Sequence, residues 1–208
     1  MSIPAAPRNR SARRLLGDCR ATAAVEFALI LPLLLLLYIG LAEAGDALTA
    51  DRKADKLASA IGDLIAQNTD TSNSAIDSLL AITQPMLAPY DDGAAEILIA
   101  DIKFVADGEN PDGSARWAPV VRWAHGQNTI LPVCGDDPPI EIPEALIPTT
   151  AAAAGVDIII ARVVYPYTSP FADILASLLG DRTLNLEHAY ILRPRASASV
   201  ANSSATPC

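Results

Sequence analysis

The sequence predicts an α+β protein. A long N-terminal helix, transmembrane in its first half and amphipathic in its second, is followed by a small, mainly antiparallel sheet head with short helices. Three observations carry this prediction. The run from Ala21 to Ala42 is apolar except for Glu26. Beyond it, Leu48, Leu57, Ile61, Leu64 and Ile65 recur at three- or four-residue steps or their multiples, the spacing of one helix face. From residue 96 the apolar period changes to two, the signature of a strand.

Residues 1–21 form a basic leader rich in Pro and Arg, without an apolar period and expected to be disordered. The apolar run then supplies about 22 residues, roughly 33 Å of helix, enough to cross a hydrocarbon core of about 30 Å. Pro32 is tolerated in such a span where neighbours re-satisfy the freed carbonyl. Asp51, Arg52, Asp55, Lys56 and Asp63 fill the intervening faces of the second half, and Asn68-Thr69-Asp70 supplies a stop. One helix is therefore expected over 22–67, with a head over 68–195 and a flexible Ser/Ala-rich tail over 196–208.

Within the head, Ile76, Leu79, Leu80 and Thr83 predict a helix from Ser74 to about Leu87, with Asn73 as N-cap. Leu98, Ala100, Ile102 and Phe104 alternate over Glu96–Val105, and Trp117, Val121 and Trp123 are read onto one face of the next run. Pro119 favours an edge strand or a bulge there. Turn residues from Asp107 to Gly113 join the two runs as a hairpin. Pro132–Pro148 reads as an irregular loop, and Thr149–Ala154 as a helical turn. The β-branched Val156–Tyr165 reads as a central strand. Ser169–Leu179 predicts a short helix ended by Gly180. The last strand, with Leu184, Leu186, His188 and Tyr190 alternating, ends at Pro194.

Charge sets the expected orientation. Arg8, Arg10, Arg13, Arg14 and Arg20 precede the span, whereas Glu43, Asp46 and Asp51 follow it before the next base. The positive-inside rule places the N-terminus in the cytoplasm and the rest, from about residue 43, outside it. That outer part carries 22 acids and 10 bases, a net of −12. A surface of this sign argues against nucleic-acid binding, which needs basic patches. Cys19 falls on the cytoplasmic side, and Cys134 and Cys208 share the oxidising side, where one disulfide is the simplest reading. It would close a loop of about 75 residues, for which chain entropy gives about 4 kcal/mol.

Glu26 is the residue with the sharpest expected role. An ionised side chain inside a span costs about 2.5–3.5 kcal/mol, so it needs either a partner or a route to the interface. A basic leader, a small residue, four residues, Glu26-Phe27 and an aliphatic run with an early Pro together resemble the TadE/TadG-like minor pseudopilins. These belong to the tight-adherence (Flp-type) branch of type IV pili. The likeness extends into Asp55–Gln67, Tyr165-Pro166-Tyr167 and Arg193-Pro194-Arg195. The resemblance implies a pilin-like head on a helical stalk and cleavage by a prepilin peptidase between Ala21 and Thr22. Ala21 stands where the motif usually has Gly. It further implies that Glu26, the fifth mature residue, neutralises the Thr22 amine of a neighbouring subunit, with Phe27 beside it. The implied partners are other pilin or pseudopilin subunits and the inner-membrane pilus assembly machinery.

Other targeting signals compete for the same segment. Ala42-Glu43-Ala44 has the small-x-small form of a signal-peptidase site that would release a soluble chain from Gly45, although the long leader and apolar run are atypical of one. Leu15–Cys19 fits a lipoprotein box poorly, because the apolar run follows the cysteine. Arg13-Arg14 is a fragment of a twin-arginine signal. These sustain an alternative function: a signal-anchored or secreted periplasmic binding or interaction domain without a pilus role.

No catalytic or metal-binding pattern is expected, and no cofactor. There is no G-x-S-x-G, Walker loop or G-x-G-x-x-G. His125 reads as a strand end and His188 as a hydrogen-bonded sheet residue, without the second ligand spacing that zinc requires. Asp91-Asp92, Asp136-Asp137 and the Asp107–Gly113 turn invite calcium. However, the turn has Pro111 and Asp112 where an EF-hand needs a ligand and a glycine. Trp117, Trp123, Tyr165 and Tyr167 could form a sugar-binding face, but packing is the better reading of strand aromatics.

Overall fold

The computed structural model describes residues 19–110, 113–169 and 183–205. The chain divides into two compact units, Met1–Gly45 and Asp46–Cys208, and helix α1 (Cys19–Ala66) contributes to both. In the first unit, the Ala- and Leu-rich sequence favours helix at nearly every position, and Pro32 lies inside it. Among the described residues there, the apolar side chains of Val25, Phe27, Leu29 and Leu33 are all exposed.

The second unit is built on a four-stranded antiparallel sheet of β2 (Glu96–Glu109), β3 (Ala115–Gln127), β4 (Ile158–Tyr167) and β5 (Leu184–Leu192), in the order β3-β2-β4-β5. The α1 residues Ala50, Ala54, Leu57, Ala58, Ile61 and Ile65 are fully buried against one sheet face. That face presents Ile97, Ile99, Trp123, Ile159, Val163 and Tyr165. Burying Leu57, Ile61 and Ile65 is worth about 1.5–3 kcal/mol each, several times any exposed ion pair on a helix, so packing fixes this half of α1. Alanine at three of the six positions lets the helix lie close. Gly62 lets it lie closer still, since a Cβ there would fall 2.5 Å from Leu192 Cδ1 and 3.1 Å from Ala161 Cβ.

The other sheet face carries Leu98, Ala100, Ile102, Phe104, Ile158 and Ile160, covered by Ile142, Ala154 and the 140–147 loop. With both faces covered, the near-continuous apolar run of β4 is explained by its central place between β2 and β5. The short helix α4 (Ala151–Ala154) is capped by Thr150, whose hydroxyl accepts from the Ala153 amide.

Four expectations need correcting. The helix expected from Ser74 to Leu87 is two, α2 (Asn73–Leu80) and α3 (Thr83–Leu87). Pro85 cannot donate to the Ala81 carbonyl and crowds it, so the helix breaks there. Its N-cap is Ser72, accepting from Ala75 N, rather than Asn73. Val121 and Trp123 do not share a face: the β2–β3 register shifts between Asp101 and Ile102, leaving Arg122 as the extra residue of a bulge. Val121 therefore packs in the second core and Trp123 in the first.

The fourth concerns the C-terminal segment, expected to be flexible over 196–208. Val200 is fully buried, and β6 (Ala201–Asn202) pairs in parallel with β1 (Asp70–Thr71). The Trp123 indole N–H supplies the anchor, donating to the Val200 carbonyl at 2.7 Å. The helix expected over Ser169–Leu179 falls outside the described residues from 170 onward, as does Cys208.

Candidate functional site

Two features of α1 could serve a function, and they occupy different halves of the helix. The first is the exposed apolar surface. From Thr22 to Leu37 every side chain is exposed, and the most apolar window, of mean hydropathy 2.4, has none of its residues buried. Leaving so many Leu and Ile side chains in water forgoes about 1.5–3 kcal/mol each, so this surface demands an apolar surrounding. It is long and apolar enough to act as a single-pass membrane anchor. Glu26 and Phe27 are both exposed in this unit, and Glu26 has no partner among the described residues. Ala21 and Thr22 lie in the first turn of α1, and Thr22 is exposed.

The second feature is a row of acids along the other half of α1, some of which the sequence placed on its intervening faces. Asp46 accepts from two tyrosines, Tyr90 at 2.7 Å and Tyr167 at 2.9 Å. Asp51 lies 2.8 Å from His188 Nε2, and Asp55 accepts from Tyr190 at 2.7 Å while lying 3.4 Å from His188 Nδ1. Asp63 meets Arg195 at 2.5 Å, and the Arg195 amide donates to the Ala66 carbonyl. Burial, then the hydrogen bond to Asp46, pushes the Tyr90 hydroxyl up to about 12. The segments around Tyr165–Tyr167 and Arg193–Arg195 thus dock on the same stretch of α1 that includes Asp55–Gln67. Sequence reasoning missed this because an acid on a helix face reads as solvent-facing until the strand opposite it is known.

The remaining candidates are absorbed by structure. His125 Nε2 lies 2.7 Å from Asp77, and β3 continues through it to Gln127. Asp91 caps a 3-10 turn through the Gly93 amide, Asp107 pairs with Arg116, and Asp136 accepts from the Val133 amide. Among the described residues no group of three or more His, Cys, Asp or Glu side chains is placed to hold a metal. Trp123, Tyr165 and Tyr167 are buried and present no open aromatic face.

The fold is α+β, and the exposed half of α1 is consistent with a single-pass membrane anchor. Residues 21–62 match the family model described as TadE-like protein. Over that segment the chain is TadE-like, as the pattern around Glu26 and Phe27 indicated. This likeness points to a protein associated with the tight-adherence pilus. Neither a curated protein nor a solved structure matches the chain.

Proposed function

We propose that the protein is a minor pseudopilin-like subunit used in assembling a Flp-type, tight-adherence pilus. It would be anchored in the inner membrane by residues 22–42, with its N-terminus cytoplasmic and its head periplasmic. The observation that carries this is the exposed apolar half of α1, interrupted by one acid at Glu26, within a TadE-like segment. A plain tether has no use for a carboxylate there, whereas a helix bundle does. After a prepilin peptidase removes residues 1–21, the new amine at Thr22 meets Glu26 of a neighbouring subunit. The pairing offsets the burial of both charges and fixes the axial register of the helices. The partners are other pilin or pseudopilin subunits and the assembly machinery of the inner membrane.

We further propose a Cys134–Cys208 disulfide that holds the C-terminus to the head. Its support is local: Cys134 and Ala205 line the same cavity beside Trp123 and Val133, three residues before Cys208.

Replacing Glu26 by Ala tests the reading. Membrane insertion is expected to persist and pilus assembly to fail. Normal assembly by this variant overturns the role of Glu26 and favours an anchored periplasmic interaction domain.

A further inference from the structure

The head buries a charge cluster that neither the helix nor its assembly uses. Asp101 of β2 and Asp157, just before β4, are 0% and 1% exposed. Both approach the bulged Arg122, whose Nη2 lies 2.6 Å from Asp157 Oδ2 and whose Nε lies 3.6 Å from Asp101 Oδ2. Among the described residues neither carboxyl oxygen of Asp101 receives a well-aligned hydrogen bond, although the Trp123 indole lies near enough to favour its ionised form. Two buried carboxylates beside one guanidinium repel each other, and a proton between them relieves that repulsion. That proton also supplies the missing hydrogen bond, from Asp101 to Asp157.

The cluster sits under the C-terminal segment. The Asp157 amide donates to the Ala198 carbonyl at 2.8 Å. Trp123, which pairs with Asp101 across the sheet, donates its indole N–H to the Val200 carbonyl. Beyond Val200, the Ala201 and Ser203 amides donate to the Thr69 and Thr71 carbonyls. Residues 196–205 contain no ionisable side chain, so the segment itself cannot titrate.

We propose that the Asp101–Asp157 pair, sharing one proton beside Arg122, acts as a pH-sensitive latch that holds segment 196–205 on the head more tightly in acid than in base. Burial, then Asp157, raises the Asp101 carboxyl to about 8, and burial raises Asp157 as well. Arg122 opposes the rise at both carboxyls, and Lys103 of β2 opposes it at Asp157. Of the other acids in the head, Asp136 accepts from the Val133 amide and Asp63 pairs with Arg195. A carboxyl raised in the folded state stabilises the closed form fully below its unfolded value near 4. That contribution is lost as pH rises through about 8. Uptake of one proton changes the opening equilibrium by up to tenfold per pH unit in this window.

The test is hydrogen exchange on the full chain in detergent, following the Ala201 and Ser203 amides from pH 5 to pH 8. Protection factors are referenced to the unstructured-peptide rate at each pH. In the native chain, protection is expected to fall as pH rises. In Asp101→Asn, whose amide donates permanently, it should stay flat at the native acid value. Asp157→Asn provides a second variant should the first fold poorly. A flat native profile overturns the latch. So does a slope that survives in the variants. The outcome is independent of whether α1 assembles with other subunits.

Discussion

The Tyr167 hydroxyl donates to Asp46 Oδ2 at 2.9 Å, joining the end of β4 to the point on α1 where the head begins. Tyr90 donates to the other oxygen of the same carboxylate, and its ring lies 6.2 Å from that of Tyr167, edge to face. One acid therefore ties the helix both to the sheet and to the segment after α3.

Asp46→Ala removes the carboxylate that accepts from two part-buried hydroxyls, while the backbone carbonyl of residue 46 still accepts from Tyr90 at 3.0 Å. Each such loss costs about 1–3 kcal/mol where water cannot replace the partner. Urea unfolding of the full chain in detergent should show destabilisation of about 1–3 kcal/mol. A wild-type midpoint would mean that water satisfies both tyrosines.

The same contact governs a titration. Tyr90 ionises near 12 because of burial first and Asp46 second, so Asp46→Asn should lower its midpoint while burial keeps it above that of free tyrosine. The phenol is raised in the folded state. Its contribution to stability is therefore intact below about 10 and lost as pH climbs through 12. Phenolate absorbance in the variant and the parent measures the difference.

Gly126 is the tightest point of the sheet, because a Cβ there would fall 2.0 Å from the Ile97 carbonyl oxygen. Backbone cannot yield as a side-chain tip can. Gly126→Ala should therefore destabilise the head by at least the about 1–3 kcal/mol typical of overpacking. Thermal unfolding reads this directly, and an unchanged midpoint would show that β2 and β3 separate freely.

If Cys134 and Cys208 are joined, Cys134→Ser and Cys208→Ser should each lower stability by similar amounts, up to about 4 kcal/mol. Reduction of the native chain should slow its migration on a gel run without reductant. Unequal effects of the two variants would indicate that one cysteine acts alone.

Much of this fold was legible where a local pattern faces a single environment. The apolar run of α1 and the alternation of Leu98 to Phe104 could be read directly, and the β-branched run of β4 gave its central place. The departures arise where distant segments meet. The bulge at Arg122, which inverts the expected face of Trp123, depends on pairing with Asp101 and leaves no local mark. The Ser/Ala-rich tail looked unable to order because its fixation depends on a Trp123 indole 77 residues away. The acids of α1 were legible as a helical face but not as partners of Tyr167, His188, Tyr190 and Arg195. In the candidate site, Glu26 stood out because one acid in an apolar run is conspicuous without any tertiary knowledge.

The central claim is that α1 begins, in the working protein, at an amine that can meet Glu26. Mass spectrometry of the N-terminus of protein purified from native membranes tests it most directly. The account predicts a chain beginning at Thr22. A chain beginning at Gly45, or one that keeps residues 1–21, would contradict it.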